Sequence, residues 1–469
     1  MVTTTFGKSN ISLETREFLK LAVPLAGAQV AQAVVGFVDT LMMGQLGAQS
    51  LAAGGLASAV FQLVLNTSSG FVMAVSPLVA EAYGAGNRAQ VERIARQGLW
   101  LSLLIAIPMM FVISHLNWVM VHLGQAERTV NLADGYLDYI LWGFFPAIGF
   151  AMLRGYVSAL SQARPVVFIV ILGTIANVTG NYILGYGKFG FPRMELAGLG
   201  LASGFSFWFM FIALFLYVCR NQTLREYKFW RELHRIRPQI LGQLMIVGTS
   251  IAVTIAVEYG LFTAVTFMMG NLGTETLAAH QTVYQTVFLL FMVPLGMSYA
   301  ATARVGQWMG HRDRQGTRLA GNIAITSAAG FMALTGISLI VFRYPIIGIY
   351  LDMNDPAAAN VIRLAVPMLM VAALAQLLDG IQRVAMGSLY GLQDTRAPMI
   401  LSIMTFWGVG LASGYVLGFL LGLGGIGLWI GQSIGVAVAG VIFLRRFRKL
   451  TSEAKFAQLK PGKQIAHHG

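Results

Sequence analysis

Three carboxylates stand inside stretches of sequence that are otherwise apolar. Glu258 is the one charged residue between Thr249 and Gly270, and Asp39 and Asp379 lie in comparable stretches. A charge in the hydrocarbon core of a bilayer costs about 2.5–3.5 kcal/mol on insertion scales. No Lys or Arg is predicted deep in the spans around Asp39 or Glu258. Each of these two carboxylates is therefore expected to require water, a proton, a metal ion or a cationic ligand.

A carboxylate in such a place can change its charge during a working cycle. Burial favours its protonated form, whereas a bound cation favours its ionised form. A group balanced between these states can exchange a proton or Na⁺ for a cationic cargo. Replacing Glu258 by Gln is accordingly predicted to leave folding intact, because an unpaired charge is removed, and to stop or uncouple the exchange. The alternative for each acid is a structural role, hydrogen bonding across helices.

Amide side chains accompany the acids. Asn177 and Asn181 are four residues apart, so they share one face of a helix with Thr174. Their carboxamide oxygens are hard ligands suited to Na⁺, and the alternative is that they tie helices together. Asp379 also has an alternative, because Arg383 follows it at the i+4 position of a helical pair.

Further polar and aromatic residues are candidates for contact with a cationic cargo. Aromatic rings near the acids could face a cation, and glutamines on the same spans could line a cavity. His280 is more typical of a hydrogen-bonded structural residue. The predicted substrate-binding residues on these spans are Asp39, Gln32, Gln281, Gln285, Phe262 and Phe288.

Long apolar helices are the elements that must position these residues. Of the 469 residues, 56% are hydrophobic and 11% are charged, whereas a soluble domain carries roughly a quarter charged residues. Apolar runs of about 20 residues recur without the alternation of barrel strands. We predict an all-α integral membrane protein with twelve transmembrane helices, at residues 18–42, 50–80, 97–122, 134–155, 165–186, 197–219, 240–269, 280–303, 319–342, 359–387, 398–421 and 426–444.

The distribution of basic residues indicates the membrane topology. Most of the 32 Lys and Arg residues fall in loops on one side of these spans. The positive-inside rule and an even number of spans then place both termini in the cytoplasm. The net charge of +13 is explained in this way, so no nucleic-acid partner is expected. No cleavage site for a removable signal peptide precedes the first span.

An internal repeat divides the chain. "MMGQLGAQSLAA" at 42–53 matches "MMGNLGTETLAA" at 268–279 in eight of twelve positions, with an offset of 226. Two six-helix lobes of the same orientation are therefore predicted, related by an axis near the membrane normal. The predicted organisation is an N-terminal tail (1–17), an N-lobe (18–219), a basic linker (220–239), a C-lobe (240–446) and a C-terminal tail (447–469).

No pattern typical of an enzyme occurs. The sequence lacks a Walker lysine motif, so ATP is not expected to power the protein, and it lacks HExxH and GxSxG. Its single cysteine, Cys219, allows no intramolecular disulfide. We predict that the protein is not an enzyme and has no cofactor beyond a coupling ion, Na⁺ or H⁺.

Several longer segments together resemble the multidrug and toxin extrusion (MATE) transporters, in particular their bacterial NorM-like branch. These segments are "LKLAVPLAGAQVAQAVVGFVDTLMMGQLG", "VEYGLF", "LAAHQ", "GNYILGYGKFG", "LLDGIQ" and "GSLYGLQDTRAP". The resemblance covers about residues 15 to 447. It implies a V-shaped pair of six-helix lobes that exports organic cations in exchange for Na⁺ or H⁺.

The resemblance also implies roles for particular residues. Glu258 and Asp379 match the acids of the C-lobe cation site, where Na⁺ is a candidate ligand, and Asp39, Asn177 and Asn181 match the N-lobe polar site. Before span 10, in the position where some relatives carry acids near bound drug, the chain has Asp352 and Asp355.

The chain departs from the family pattern at three positions around Asp379. Ala375 replaces a tyrosine, which weakens an assignment of Na⁺, and Tyr390 stands where an arginine is usual. Arg383 is an additional basic residue. The charge balance around Asp379 is therefore expected to differ from that of relatives.

The expected function is export of organic cations, such as dyes and fluoroquinolone-like drugs, by cation antiport through alternating access. The protein is expected to be a monomer among the lipids of a bacterial inner membrane. The alternative is a flippase for an amphiphilic or lipid-linked substrate on a related fold, for which an anionic lipid would favour a basic cavity. A membrane-embedded enzyme would need a catalytic cluster at one membrane face, and none is found.

Overall fold

The computed structural model describes residues 10–122, 127–228, 232–353 and 355–457. Residues 1–9 and 458–469, which make up much of the two predicted tails, lie outside the described residues. Every regular element in the described ranges is helical. A bilayer requires this, because each backbone N–H and C=O group must find its partner within the spanning segment. The prediction of an all-α membrane protein is confirmed.

The first half of the chain folds into long helices joined by short turns. The helix Arg164–Gly180 continues as a π-helical turn over Asn181–Gly185. The bounds are α1 (Ile11–Gln45), α2 (Ala48–Val72), α3 (Val75–Gly84), α4 (Arg88–Ile113), α5 (Leu116–His122), α6 (Glu127–Leu141), α7 (Phe144–Ala159), α8 (Arg164–Gly180) and α9 (Glu195–Arg220).

The second half repeats this plan. The apolar segment Arg396–Leu420 contains two π-helical stretches, Ile403–Leu411 and Val416–Leu420, and a 3₁₀ turn at Pro356–Ala358 lies earlier in this half. The bounds are α10 (Pro238–Asn271), α11 (Thr274–Gly310), α12 (Arg314–Val341), α13 (Arg343–Ile347), α14 (Ala359–Gly391), α15 (Arg396–Ser402), α16 (Ala412–Tyr415), α17 (Gly424–Leu450) and α18 (Glu453–Phe456).

Eleven helical segments of the described residues are long and apolar enough to cross a membrane. A twelfth span results if Thr129–Leu141 and Phe144–Ala159, which are bent by 50° at their junction, are one broken span. This pair coincides with the predicted span 134–155. The helices often begin earlier than predicted: α1 starts at Ile11 rather than at residue 18, and α4 starts at Arg88 rather than at residue 97. Charged first turns hide these starts from an apolar pattern.

The repeat is visible in the backbone. Gly47 separates α1 from α2 with φ of 120°, and Gly273 separates α10 from α11 with φ of 117°. These two residues are related by the same offset as the repeated sequence, and an L-residue rarely adopts this conformation. The second of the two glycines that the matching segments share is therefore required by the turn. The next turn also repeats, because the side chains of Asn87 and Asp313 cap α4 and α12 in the same way.

The described residues divide into two compact units at corresponding positions of the repeat. The N-unit contains residues 27–252, and the C-unit contains residues 10–26 and 253–457. The start of α1 thus packs with the second half of the chain. Its Glu14 is buried and accepts hydrogen bonds from Arg304 Nε at 2.8 Å and Trp308 Nε1 at 2.9 Å.

The start of α10 packs in turn within the N-unit. Gln97 of α4 is fully buried, and its side-chain amide donates to the carbonyl of Arg235 at 3.0 Å and accepts from the backbone N–H of Arg237 at 3.1 Å. Trp100 Nε1 donates to the carbonyl of Leu233 at 2.7 Å. The end of the basic linker is therefore fixed to α4 before α10 begins.

A glycine ladder joins the segment Arg396–Leu420 to α17 within the C-unit. It consists of three glycine pairs, 410 with 435, 414 with 431 and 418 with 427, in which a Cβ on the α17 residue would meet backbone atoms of its partner. A Cβ at Gly431 would lie 2.1 Å from the backbone nitrogen of Gly414. Small residues spaced by four allow two membrane helices to approach this closely.

Substitution of Gly431 by Ala is expected to destabilise the protein by about 1–3 kcal/mol, because the added methyl group overlaps backbone that cannot move aside. Gly330→Ala is the matched control, since a Cβ at this position of α12 meets nothing within 4 Å. The control is expected to be neutral or slightly stabilising. Thermal unfolding of the purified variants in detergent measures both effects. Equal stability of the two variants would contradict the packing described.

Candidate functional site

A chain of polar side chains crosses the N-unit from α1 to α9. Asn181 Nδ2 donates to Asp39 Oδ1 at 2.6 Å and to Asn177 Oδ1 at 3.3 Å. Asn177 Nδ2 in turn donates to Ser203 Oγ at 3.0 Å. The two asparagines and the serine are buried, whereas Asp39 is half-buried. We call Asp39, Asn177, Asn181 and Ser203 the Asp39 cluster, and its first three members were predicted from the sequence to act together.

The local fold explains why the asparagines meet Asp39. They are one turn apart on the same face of α8, and the π-helical turn starts at Asn181. Such insertions are common at functional sites, because they redirect side chains at one turn of a helix. None of the ion pairs among the described residues includes Asp39. Its hydrogen-bonding neighbour is a neutral amide, so its charge is not balanced by a basic side chain within these residues.

Gln32 and Gln29 are contacted by a basic residue of another helix. Arg154 lies inside α7, and its Nη1 donates to Gln29 Oε1 at 2.7 Å and to Gln32 Oε1 at 3.5 Å. The helix continues beyond the end predicted for this span, and the guanidinium reaches back to α1.

Glu258 forms an ion pair, contrary to the expectation from sequence. Arg383 Nη2 of α14 donates to Glu258 Oε1 of α10, and both side chains are buried. The expectation that Glu258 requires water, a proton, a metal ion or an external cation was wrong, because it considered only the spans adjacent in sequence. The alternative pair between Asp379 and Arg383 is also not formed among the described ion pairs. Asp379 is half-buried on α14.

The guanidinium of Arg383 is further fixed by α11. It lies over the ring of Phe291, with Cζ 4.8 Å from the ring centroid, which is a cation–π contact. The backbone carbonyl of Arg383 accepts from Ser298 Oγ at 3.1 Å. Three helices of the C-unit therefore determine where this charge lies.

An aromatic row runs along α11 beside α10. His280, Tyr284 and Phe288 are spaced by four residues, with successive ring centroids 5.9 Å apart in both steps. Phe262 of α10 lies 5.7 Å from the ring of Tyr284. His280 Nε2 is 3.0 Å from Thr266 Oγ1, which agrees with the structural interpretation of this histidine. Phe262 and Phe288 were predicted, whereas Tyr284 was not.

The remaining candidates are dispersed. Gln281 and Gln285 are exposed on α11, on a face adjacent to the aromatic row. Asp352 and Asp355 are exposed in the loop between α13 and α14, where the N–H of Asp355 donates to the carbonyl of Asp352 at 3.2 Å. The role that the resemblance implies for these two acids stays a prediction.

The donor set around Glu258 does not suit the predicted Na⁺. No group of three or more His, Cys, Asp or Glu side chains gathers in the described residues to hold a metal ion. The carboxylate that would ligate Na⁺ accepts instead from Arg383. Na⁺ prefers oxygen ligands, and a guanidinium offers only donors.

One signal in the sequence pointed to these contacts. Arg383 stands in an apolar helix, where a basic residue needs a partner. Ser203 had no signal, because a serine in an apolar helix is common. Which acid pairs with Arg383 depends on which helix packs against α14, and only the tertiary structure shows this.

Glu258→Gln is expected to destabilise the protein, by up to about 3–5 kcal/mol, because it leaves Arg383 as a buried cation without its carboxylate. This reverses the earlier expectation of intact folding. The double variant Glu258→Gln with Arg383→Met removes both charges and is expected to recover most of the loss. Thermal unfolding in detergent measures both variants. If the Glu258→Gln variant is as stable as the wild type, the ion pair does not contribute to the stability of the protein.

The match to a family model covers most of the membrane-spanning sequence. The MatE family model matches residues 24–183 and 250–416, which include Asp39, Glu258, Asp379 and Arg383. A protein of Synechococcus sp. named "Probable multidrug resistance protein NorM" is 56% identical over 458 residues, which is 98% of this chain and 99% of that protein. A protein of the same name from Synechocystis sp. is 51% identical over 442 residues, or 94% and 96% of the two chains.

Solved structures share the fold at low sequence identity. The eukaryotic MATE transporter AtDTX14 aligns with a TM-score of 0.83 at 18% identity, over 96% of this chain and all of that one. A Vibrio cholerae MATE transporter, VcmN, aligns with a TM-score of 0.86 at 17% identity, over 96% and 99%. The family model, the curated relatives and the fold agree, and the chain belongs to the MatE family.

Proposed function

We propose that this protein is a multidrug efflux transporter that exports organic cations by antiport with Na⁺ or H⁺, with access alternating between the two sides of the membrane. Its membership of a transporter family and the names of its close relatives support multidrug efflux. The single observation that carries the antiport proposal is the Asp39 cluster. A carboxylate there is held by neutral amides within apolar helices.

The Asp39 cluster has the properties that cation exchange requires. Asp39 must be compensated when it is ionised, because no basic side chain of the described residues pairs with it. A bound proton, Na⁺ or cationic drug provides this compensation. The amide of Asn181 holds the carboxylate in place through a neutral hydrogen bond. Binding of one cation can thus release another without moving the protein ligand.

The aromatic row of the C-unit is the proposed contact for the apolar part of the cargo. Tyr284 and Phe288 with Phe262 present ring faces along two helices. Rings of this kind bind organic cations through their faces. The exposed amides of Gln281 and Gln285 stand beside them and are proposed to contact polar groups of the drug.

The cellular setting is proposed on the same basis. The distribution of basic loop residues supports a bacterial inner membrane with both termini in the cytoplasm. We propose a monomer surrounded by lipid that binds small organic cations and no nucleic acid. A lipid flippase is less well supported, because the buried Arg383 is already paired with Glu258 and is not open to an anionic head group.

Cells that lack their own exporters and express this protein are expected to accumulate less ethidium or fluoroquinolone than cells with an empty vector, because the protein moves the cation outward. Fluorescence of the accumulated dye measures this. Expression and membrane insertion are verified on the same cells. Equal accumulation across a broad panel of cations by well-inserted protein would argue against drug export, and movement of a labelled lipid instead would favour the flippase.

Asp39→Asn is expected to remove gradient-driven efflux in proteoliposomes without loss of stability, because an amide retains an oxygen that accepts from Asn181 but cannot change its charge. Asp138→Asn is the matched control, since Asp138 is an exposed acid of α6 in the same unit. The control is expected to transport normally. Wild-type efflux by a folded Asp39→Asn protein under both Na⁺ and proton gradients would return Asp39 to a structural role.

A further inference from the structure

We propose that Arg383 is a tethered cation that permanently occupies the position a coupling ion would take at Glu258, so that the C-unit does not bind Na⁺ through this carboxylate. The proposal rests on the antiport function proposed above and locates the exchange of the coupling ion at the Asp39 cluster. It starts from one contact, the hydrogen-bonded ion pair between Arg383 Nη2 and Glu258 Oε1.

The hydrogen-bonding capacity of the site supports this assignment. A guanidinium has five N–H donors and no acceptor, and Arg383 Nε is buried without a partner among the described residues. Arg383 therefore brings donors and no acceptor to the carboxylate of Glu258. A Na⁺ ion needs several oxygen ligands directed at one point, and one of the two carboxylate oxygens of Glu258 accepts instead from Arg383.

The guanidinium is not free to move aside. One face lies on the ring of Phe291, and the backbone at Arg383 accepts from Ser298 of α11. One turn later, a Cβ at Gly387 would lie 2.3 Å from Ser298 Oγ, so α14 and α11 are in close contact at this point. The charge is thus part of the packed interior of the C-unit.

The charge is also permanent. An arginine side chain is not deprotonated in proteins, so the compensation of Glu258 does not depend on the ion gradient. A coupling ion, in contrast, must bind and leave in each cycle. Asp379 is the remaining carboxylate of α14 near this pair, and its partial exposure allows water to solvate it.

The repeat provides an internal comparison. The sequence offset places Gln32 of the N-unit opposite Glu258 of the C-unit. In the N-unit, Arg154 of α7 also reaches the first helix of its half, where it donates to Gln29 and Gln32. An arginine therefore contacts the equivalent position in both halves. In the C-unit its partner is charged, so the arginine cancels that charge rather than adding a hydrogen bond alone.

The experiment measures Na⁺ binding by the purified full-length protein in detergent, without transport. Thermal unfolding is recorded in NaCl, in KCl and in N-methyl-D-glucamine chloride at equal ionic strength. The variants are Arg383→Met, Glu258→Gln and the double variant. Arg383→Met uncovers the carboxylate and is expected to gain a Na⁺-specific rise in Tm of about 2 °C or more. The double variant is expected to lose this gain.

The wild type supplies the complementary test. Any Na⁺ response of the wild type is expected to survive Glu258→Gln and to disappear in Asp39→Asn, and binding of radioactive Na⁺ is expected to follow the same pattern. A wild-type Na⁺ response that is lost in Glu258→Gln would overturn the proposal. So would a folded Arg383→Met protein with no Na⁺ response. If Arg383→Met does not fold, binding of radioactive Na⁺ to the wild type and to the double variant decides: equal binding supports the proposal, and a loss of binding in the double variant overturns it.

Failure of the proposed antiport function can be distinguished from failure of the tethered-cation proposal. Proteoliposomes that move no cation under either gradient would refute antiport, yet the Na⁺ response of the Arg383→Met protein would be unaffected. Conversely, if antiport occurs and requires Glu258 as a Na⁺ ligand, the proposed function holds and the proposal of a tethered cation is refuted.

Discussion

A charge inside an apolar helix has to be compensated by the protein itself, by water or by a ligand, and much of this molecule's polar architecture follows from that constraint. The C-unit compensates Glu258 internally, through Arg383 on another helix. In the N-unit, the neutral amide of Asn181 donates to Asp39, and no ion pair among the described residues includes this carboxylate. Glu258 thus has a basic partner within the protein, whereas the proposed function assigns the exchange of a cation to Asp39.

The repeat supplies two similar frameworks, and the side chains make them different. The turns at Gly47 and Gly273 and the caps at Asn87 and Asp313 occur at equivalent places, so the backbone plan is duplicated. Asp39 lies opposite Val265 in the same comparison. The fold is therefore duplicated while the charges differ, and the proposed function assigns the exchangeable cation to one half and the aromatic contacts for a cargo to the other.

Close helix packing is what makes the internal compensation possible. Without water, helices in a membrane associate through small residues and hydrogen bonds. The glycine ladder between Arg396–Leu420 and α17, and the contact of Gly387 with Ser298, bring backbones of the C-unit together. Arg383 can reach Glu258 because α14 packs closely against its neighbours. Further along α11, the buried contact between Glu14 and Arg304 fixes the start of α1 within the same unit.

The sequence by itself determined the elements and most of the candidate residues. Apolar length predicts membrane helices because a bilayer accepts little else, and the matching segments at 42–53 and 268–279 reveal the repeat. Helical spacing places Asn177 beside Asn181, and the structure confirms that they meet Asp39. The pairing of Glu258 with Arg383, the contact of Arg154 with Gln29 and the inclusion of Ser203 were decided only by the tertiary structure. Periodicity shows which side chains share a face of one helix, but the partner of a buried charge depends on which helix packs opposite. Contacts between residues on different helices, here 26 or 125 positions apart, leave no local pattern.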